Sequence, residues 1–362
     1  MTKHKCLNVG LVGLGGVAQE HLKGCAASDM VNLVAGADIN EQRLEDAVQR
    51  FGIKPYKDYV EMISHESLDI VCVLTPPAIH RPVVECAANA GVHILCEKPL
   101  APSLSDADAI SKSVENAGIK FLFGASYRHL PAMQAARDII RDGRIGEVRL
   151  CYELAIGGIG AGRANALPES HYPLNGPGGT PMGLVDHGVH MIDAFPWLTN
   201  SEIVSVWGRG NFTGKDPVPE FATMTLRSGA TINLVYDEGT FGLALPGEGA
   251  FMEGAGWNVH GYVPPGGFDP FPTTLVVHGS NGALRIYPYA NRLYLANTDG
   301  LSEINLPRYP KPNHFRAQLE TFVDAILKDE PVAATLYDGV RSTQVLLAIY
   351  QSAREAKEIT LS

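Results

Sequence analysis

Short apolar runs recur through the first 125 residues and predict buried β-strands. These runs contain few polar residues, so they are nearly continuous rather than alternating. Continuous runs of this length are typical of strands that are covered on both faces, as in a parallel sheet flanked by helices. The predicted strands are Leu7–Val12, Asn32–Ala37, Ile70–Leu74, Val92–Cys96 and Lys120–Phe123.

Helical periodicity fills the stretches between these strands, over Glu41–Phe51, Ala78–Ala90 and Ser105–Ala117. Asn40 and Ser105 are suitable N-cap residues for the first and last of these helices. Alternation of strand and helix is typical of a doubly wound α/β domain. We therefore predict a Rossmann-type domain with a parallel sheet over residues 1–125.

The pattern changes near residue 126. A predicted helix at Pro131–Asp142 is followed by strands with period-2 alternation, and Ser228-Gly229 and Ser280-Asn281-Gly282 are predicted hairpin turns. Two late helices are predicted at His314–Lys328 and Tyr337–Ala356. Residues 126–362 should therefore form a second domain on a mostly antiparallel open sheet. Its predicted strands are Val148–Ile156, Ile203–Gly208, Phe221–Leu226, Thr231–Tyr236, Thr274–His278 and Ala283–Tyr287.

Composition and charge narrow the function classes. The chain is 45% hydrophobic and 19% charged, with a formal net charge of −10, and it has no tract of five or more basic residues. This excludes disorder and argues against a nucleic-acid partner. The sequence shows no signal peptide and no apolar run long enough to span a membrane. Its six scattered cysteines suggest free thiols, so we expect a cytoplasmic protein without membrane contact.

The first predicted strand leads directly into a glycine-rich turn with the pattern G-x-G-x-x-A. Gly13 permits a tight turn, Gly15 lets a diphosphate approach the backbone, and Ala18 lets the following helix pack on the sheet. The diphosphate would lie at the positive N-terminus of that helix. The predicted contacts come from Gly13, Leu14, Gly15, Gly16, Val17 and Ala18.

An acidic residue in the right place strengthens the case for a dinucleotide. The second predicted strand ends at Asp38, 20 residues after Ala18. A carboxylate there can accept hydrogen bonds from the adenosine ribose and would repel a 2′-phosphate, which favours NAD over NADP. Arg43 is the nearby residue that could weaken this preference. We therefore predict NAD as the cofactor.

Two further strand ends carry candidate site residues. Thr75 and Pro76 follow the strand that begins at Ile70, and Glu97 and Lys98 follow the strand that ends at Cys96. Ligands of open α/β sheets bind beyond the carboxyl ends of the strands, so these residues should line the cofactor cleft. A lysine there can hydrogen-bond a substrate hydroxyl and favour its deprotonation.

A later segment contains several His and Asp residues in helical register. At 100° per residue, His190 and Asp193 lie within ~40° of Asp186 around a helix, whereas His187 lies ~100° away. Asp186 and His190 are four residues apart and can touch. A neighbouring aspartate would orient His190 and raise its pKa, as suits a general base. The same residue types could bind a metal, but hydride transfer to a nicotinamide needs none, and no metal site is assigned.

Together these motifs resemble the glucose–fructose oxidoreductase / inositol dehydrogenase / rhizopine-catabolism (Gfo/Idh/MocA) family of oxidoreductases. The resemblance covers nearly the whole chain. Its motifs are Gly13–Ala18, Thr75-Pro76-Pro77 with His80, Ala90-Gly91-Val92-His93, Glu97-Lys98-Pro99, Tyr127-Arg128, Gly143–Val148 and the Asp186-x-Gly188-x-His190-x-x-Asp193 element.

The resemblance implies a catalytic role for Lys98, Asp186 and His190, and a cis peptide bond between Lys98 and Pro99. It also implies a homodimer or homotetramer and a carbohydrate or polyol substrate. We add His80, Glu97 and Arg128 to the predicted cofactor contacts. Tyr127, Lys98, Asp186 and His190 are predicted substrate contacts.

Two segments, Gly157–Pro177 and Asp237–Pro272, match none of the family motifs and are the predicted substrate-selecting loops. Their candidate substrate contacts are Arg163, His171, Tyr172 and Trp257.

Three functions are consistent with the sequence. The leading one is an NAD-dependent dehydrogenase that acts on a hydroxyl of a sugar, glycoside or inositol. The second is a redox-neutral enzyme with tightly bound NAD, in which transient oxidation precedes elimination, epimerisation or deglycosylation. The third is a non-catalytic regulator that senses a dinucleotide. Intact Lys98, Asp186 and His190 favour an enzyme.

Overall fold

Two β-sheets organise the chain. The computed structural model describes residues 6–156, 183–210, 220–237, 275–307 and 314–361. The first sheet lies in the N-terminal third, and the second is built from the rest of the chain. Each sheet has its own hydrophobic core, which defines two lobes.

Within the described residues the first sheet has six strands, all parallel, in the order β3-β2-β1-β4-β5-β6. This is the strand order of a dinucleotide-binding Rossmann domain, and the order reverses between β1 and β4. The strands are β1 (Leu7–Val12), β2 (Val31–Ala37), β3 (Lys54–Tyr56), β4 (Ile70–Val73), β5 (His93–Cys96) and β6 (Phe121–Phe123).

Helices connect these strands. The Asn40 side chain accepts a hydrogen bond from the Arg43 main-chain N–H and caps α2, as predicted, but Ser103 rather than Ser105 caps α5. Both α2 and α5 end at a glycine with positive φ. The helices are α1 (Gly16–Ala26), α2 (Glu41–Phe51), α3 (Tyr59–His65), α4 (Pro77–Asn89) and α5 (Leu104–Ala117).

The second sheet has nine strands in the described part of the chain. Its order is β14-β13-β12-β11-β7-β10-β9-β8-β15, and every neighbouring pair is antiparallel except β7 and β10. The strands are β7 (Val148–Ile156), β8 (Ile203–Arg209), β9 (Glu220–Leu226), β10 (Thr231–Asp237), β11 (Leu275–Gly279), β12 (Gly282–Tyr287), β13 (Arg292–Asn297), β14 (Gly300–Glu303) and β15 (Ile359–Thr360).

Helices that follow the first sheet along the chain connect the two lobes. They are a 3-10 turn (Ser126–His129), α6 (Pro131–Arg141), a π-helical turn (Leu184–Gly188), α7 (Val189–Thr199), α8 (His314–Leu327) and α9 (Leu336–Glu355). Although α8 follows the second sheet, its Leu319, Phe322 and Val323 are buried in the first core. Gly24 of α1 lies so close to α8 that an added Cβ would be 3.0 Å from the Arg316 nitrogen. Residues of the second half therefore complete the first lobe.

The predicted fold class is confirmed: a parallel Rossmann sheet is followed by a mostly antiparallel open sheet. Both predicted hairpins join antiparallel neighbours, β9 to β10 and β11 to β12. All six cysteines lie in the described part of the chain and are free thiols. Among the described residues, no helix combines the length and the hydropathy that a membrane crossing requires.

Candidate active site

The carboxyl ends of β1, β4, β5 and β6 meet at one edge of the first sheet, where the strand order reverses. Gly13, Leu74, Glu97 and Gly124 follow these four strands. Main-chain bonds tie the strand ends together: the Leu74 N–H donates to Val12 O at 2.8 Å, and the Glu97 N–H donates to Val73 O at 3.0 Å. This edge is where a ligand of an open α/β sheet binds.

The glycine-rich turn has the shape that a diphosphate requires. Gly13 adopts φ +88°, and an added Cβ would lie 2.8 Å from the Leu74 carbonyl oxygen. Among the described residues, a Cβ on Gly15 would meet only the Arg43 side chain, at 3.7 Å, and one on Gly16 would meet nothing within 4 Å. Helix α1 starts here without a side-chain cap. An uncapped helix N-terminus facing open space fits the diphosphate of NAD.

Replacing Gly13 with alanine should destabilise the fold. The left-handed φ and the contact with Leu74 both oppose a Cβ, so we expect a loss of about 1–3 kcal/mol in the free energy of unfolding. Urea denaturation followed by circular dichroism measures it. Gly16→Ala is the matched control, because its Cβ has open space, and it should not lower stability. Equal stability of the two variants would contradict this account of the turn.

Asp38 is a fixed carboxylate at the end of β2. Its Oδ2 accepts a hydrogen bond from the Leu14 N–H at 2.7 Å, and its Oδ1 accepts one from the Asn40 N–H at 2.8 Å. The half-exposed Arg43 guanidinium lies 3.6 Å from Oδ2. The Asp38 side chain therefore lies beside the glycine-rich turn, where the predicted ribose contact requires it.

The end of β4 contributes an unsatisfied polar atom. The Thr75 Oγ1 is buried and has no hydrogen-bond partner within the described residues, as expected for a group that awaits a ligand. His80 is placed differently from its predicted cofactor contact. Its ring is fully buried, with Nε2 2.7 Å from Thr75 O and Nδ1 3.0 Å from Leu100 O. We propose that His80 positions the two loops that carry Thr75 and Lys98.

The Glu97 carboxylate is bound by groups of the first lobe. Its buried carboxylate is 2.9 Å from the His21 Nε2 and accepts a hydrogen bond from the Lys98 main-chain N–H. Burial raises the pKa of Glu97, but the hydrogen bond and charge of His21 and the charge of Lys98 outweigh burial and leave that pKa lowered. Glu97 therefore stays ionised and holds the lysine loop, which differs from the predicted cofactor contact.

Lys98 reaches from the first lobe to the second. Its Nζ donates hydrogen bonds to the Asp186 carbonyl oxygen at 2.6 Å and to the Asp186 Oδ1 at 3.1 Å. The Lys98 side chain is 14% exposed, while that of Asp186 is 43% exposed. The Lys98–Pro99 peptide bond is cis, as the resemblance implied. The ammonium group is thus held at the boundary between the lobes.

Asp186 and His190 lie where a π-helical turn passes into α7. A regular α-helix was predicted here, but Leu184–Gly188 forms the wider π-helical turn, a feature frequent at functional sites. The His190 ring packs against Tyr127, with 4.7 Å between ring centroids. Tyr127 is itself buried, and its ring packs against the imidazole ring of His190.

The expected effect of the surroundings on His190 is wrong. We expected Asp186 to raise the pKa of His190, but its pKa is well below the usual value. Burial is the largest cause, and the positive charges of Lys98, His187 and His314 act in the same direction. His190 is therefore neutral at pH 7 and has an unprotonated ring nitrogen that can accept a proton.

Arg128 serves the fold rather than the cleft. Its buried guanidinium donates to both carboxylate oxygens of Asp193, at 2.9 and 2.6 Å, and to Ala333 O at 2.8 Å. Its Nη2 also lies 3.0 Å from Asp338 Oδ1. This arrangement differs from the predicted cofactor contact. Asp193 thus pairs with Arg128 and Asp186 pairs with Lys98, although the helical spacing had placed the two aspartates on one face.

Sequence reasoning missed a carboxylate–imidazole pair beside the site. The His187 Nε2 is 3.0 Å from Oε1 of Glu153 on β7, and the Tyr236 hydroxyl donates to Glu153 Oε2. The strand alternation contained the signal for Glu153, because it shares the inward face of β7 with the buried Cys151. A charged residue at an inward position requires a buried partner.

Four predicted substrate contacts, Arg163, His171, Tyr172 and Trp257, lie outside the described residues. Over the ranges that are described, no group of three or more His, Cys, Asp or Glu side chains is arranged to hold a metal ion.

Comparison with known proteins identifies the class and then the family. Residues 7–125 match the model of the oxidoreductase family with an NAD-binding Rossmann fold, so the first lobe is an NAD-binding domain of an oxidoreductase. Residues 133–285 match the GFO/IDH/MocA C-terminal domain. The chain belongs to the Gfo/Idh/MocA family of oxidoreductases.

Individual relatives agree with this assignment. The chain is 29% identical to the rhizopine catabolism protein MocA of Rhizobium meliloti over 342 residues, 93% of this chain and 92% of that protein. It is 40% identical to a D-apiose dehydrogenase of Paraburkholderia graminis over 137 residues, which span 38% of this chain and only 36% of the relative. An oxidoreductase from Agrobacterium radiobacter in complex with NAD+, L-tartaric acid and magnesium has the same fold, with a TM-score of 0.79 at 21% identity over 98% of both chains.

Proposed function

We propose that the protein transfers a hydride between a hydroxyl-bearing carbon of a sugar, glycoside or inositol and the nicotinamide of NAD. The observation that carries the proposal is the contact of the Lys98 Nζ, on the NAD-binding lobe, with Asp186 on the second lobe, beside His190. The relatives of this chain include a D-apiose dehydrogenase and an inositol 2-dehydrogenase.

Lys98 supplies positive charge to the reacting oxygen. A substrate hydroxyl bound at the Lys98 ammonium loses its proton more readily, because the cation stabilises the alkoxide. Asp186 holds the lysine through its carboxylate and its carbonyl oxygen. In this proposal Asp186 orients Lys98. The sequence had instead predicted that Asp186 orients His190.

His190 is the proton acceptor of this proposal. Its neutral ring offers a free nitrogen, and the ring contact with Tyr127 fixes its orientation. NAD, when bound, supplies the hydride acceptor. The protein residues bind the hydroxyl, orient it and remove its proton.

A screen for activity tests the proposal. The purified protein with NAD+ is offered sugars, methyl glycosides and inositols, and absorbance is followed at 340 nm. We expect at least one of these compounds to give NADH well beyond one equivalent per site. NADH that stops at one equivalent or less, with conversion of the substrate, would indicate the redox-neutral reaction instead. NAD binding with no conversion of any compound would contradict an enzyme.

We also propose that the chain forms a homodimer or homotetramer through the outer face of the second sheet. Leu154, Trp207 and Phe221 lie on that face and are each about 40% exposed. The strand registers align Leu154 of β7 with Phe221 of β9 across Val235 of β10, and Trp207 lies on β8, the next strand after β9. Such apolar patches mark contact surfaces. Light scattering should give two or four times the chain mass of 38.9 kDa. A monomer at all concentrations would contradict this assembly.

A further inference from the structure

The carboxylate–imidazole pair formed by Glu153 and His187 has a geometry that a purely structural contact does not require. Glu153 is 1% exposed, and its two oxygens bind His187 and Tyr236. The His187 side chain keeps 25% of its surface exposed. Since Nε2 faces the glutamate, Nδ1 remains, and no other residue in the described ranges hydrogen-bonds it. A carboxylate that holds one imidazole nitrogen leaves the other available for proton transfer.

The pair lies next to the proposed reacting groups. The ring centroids of His187 and His190 are 6.0 Å apart, and both rings contact Tyr127. The ionisable groups that face His187 come from every neighbouring element. They are Glu153 of β7, Tyr236 of β10, Tyr127 of the 3-10 turn, Lys98 of the loop after β5, Asp186 of its own turn and His190 of α7.

The pKa values of the two histidines are shifted in opposite directions. Burial lowers the pKa of His187, but the charge and hydrogen bond of Glu153 outweigh burial and leave it raised. The pKa of His190 is lowered by burial and by the charges of Lys98 and His187. Environments that separate two pKa values in this way assign acid and base roles. A proton that arrives on His190 is therefore more stable on His187.

We infer that His187, positioned by Glu153, takes the proton that His190 removes from the substrate hydroxyl. The inference rests on the proposed function. As the substrate O–H bond breaks, the proton passes to one ring nitrogen of His190, and the proton on the other ring nitrogen moves to His187, directly or through water. The carbon that bears this hydroxyl loses a hydride, and NAD+ is the acceptor. His190 thereby returns to its neutral form, and His187 with Glu153 holds the released proton as an ion pair.

The pH dependence of substrate oxidation tests this relay. The assay uses the compound that gives the largest absorbance change in the screen above, and myo-inositol is the first compound tried. Oxidation requires unprotonated His187, so kcat/KM should rise through an ionisation above the usual histidine value. Replacing Glu153 with glutamine removes the charge that favours protonated His187. The rise should then move to lower pH by about one unit or more, with a lower plateau.

Two further variants complete the test. Glu220→Gln makes the same chemical change at another buried glutamate of the sheet and should leave the pH of the rise in place. His187→Gln should lower kcat by about tenfold or more and abolish the rise in kcat/KM with pH. Because the His187 side chain is partly exposed, this variant keeps the test available if Glu153→Gln does not fold.

An unmoved rise in folded, NAD-binding Glu153→Gln would overturn the relay, as would wild-type kcat in His187→Gln. Those outcomes leave the proposed function standing, because the parent enzyme still oxidises its substrate. A parent protein that oxidises no compound in the screen would overturn both the relay and the proposed function.

Discussion

Lys98→Met should lower kcat by about 10²–10⁴-fold, the range for loss of a positioned acid–base or charge-stabilising group. Methionine keeps most of the side-chain volume and removes the ammonium group that contacts Asp186. The glycine-rich turn and Asp38 are untouched, so the affinity for NADH should stay nearly unchanged. Steady-state kinetics and a fluorescence titration with NADH measure the two quantities.

Lys120→Met is the matched control for this variant. Lys120 directly precedes β6, at the opposite edge of the same sheet, and its Nζ pairs with Asp329. We expect near-normal kcat in this control. If Lys98→Met retained more than about a tenth of kcat, a loss below the expected range, or if it lost NAD binding in parallel, the role given to Lys98 would be wrong.

Arg128→Met should destabilise the protein more than any other single change considered above. The substitution leaves the buried Asp193 and the partly buried Asp338 without the cation that joins them. Removing one partner of a buried ion pair costs about 3–5 kcal/mol, because the remaining charge is left uncompensated. Chemical denaturation of the parent and variant chains measures the change.

The pH dependence of this loss has a definite sign. Burial raises the pKa of Asp193 even with Arg128 present, and without the arginine it should rise further. A carboxyl whose folded pKa lies above its unfolded value destabilises the fold above the unfolded pKa, and this effect fades as pH falls through the folded pKa. The stability deficit of Arg128→Met should therefore be smaller at pH 5 than at pH 8.

Arg141→Met provides the comparison, since the Arg141 side chain is 67% exposed and pairs only at the surface with Asp138 and Asp142. Exposed pairs contribute roughly 0–1 kcal/mol. A similar loss in both variants, or a deficit that does not depend on pH, would show that Arg128 does not stabilise the fold through buried charge.

Much of the fold was predictable because burial leaves a pattern along the chain. The continuous apolar runs marked five strands of the first sheet, and glycine-containing turns marked the hairpins β9–β10 and β11–β12. Strand β3 was missed because it is only three residues long and two of them, Lys54 and Pro55, are exposed. Strands β13 and β14 were missed as well, and β14 is exposed throughout, so it has no alternation to detect.

Residues of the candidate site were predictable only where they lie just after the end of a strand. Lys98 and Asp38 follow strands directly, so their positions came from the topology. Contacts between residues that are distant in sequence could not be predicted in this way. His187 and Glu153 are 34 residues apart, and Arg128 and Asp193 are 65 apart. Asp186 also lies in a π-helical turn, which departs from the regular 100° spacing that the prediction assumed for Asp186, His190 and Asp193.

The most direct test of the central claim is a crystal structure of the protein with NAD and a substrate found in the screen. The account predicts one substrate hydroxyl oxygen within hydrogen-bonding distance, about 2.6–3.2 Å, of both the Lys98 Nζ and a ring nitrogen of His190, with its carbon facing the nicotinamide. A substrate whose reacting hydroxyl contacts neither residue would contradict it.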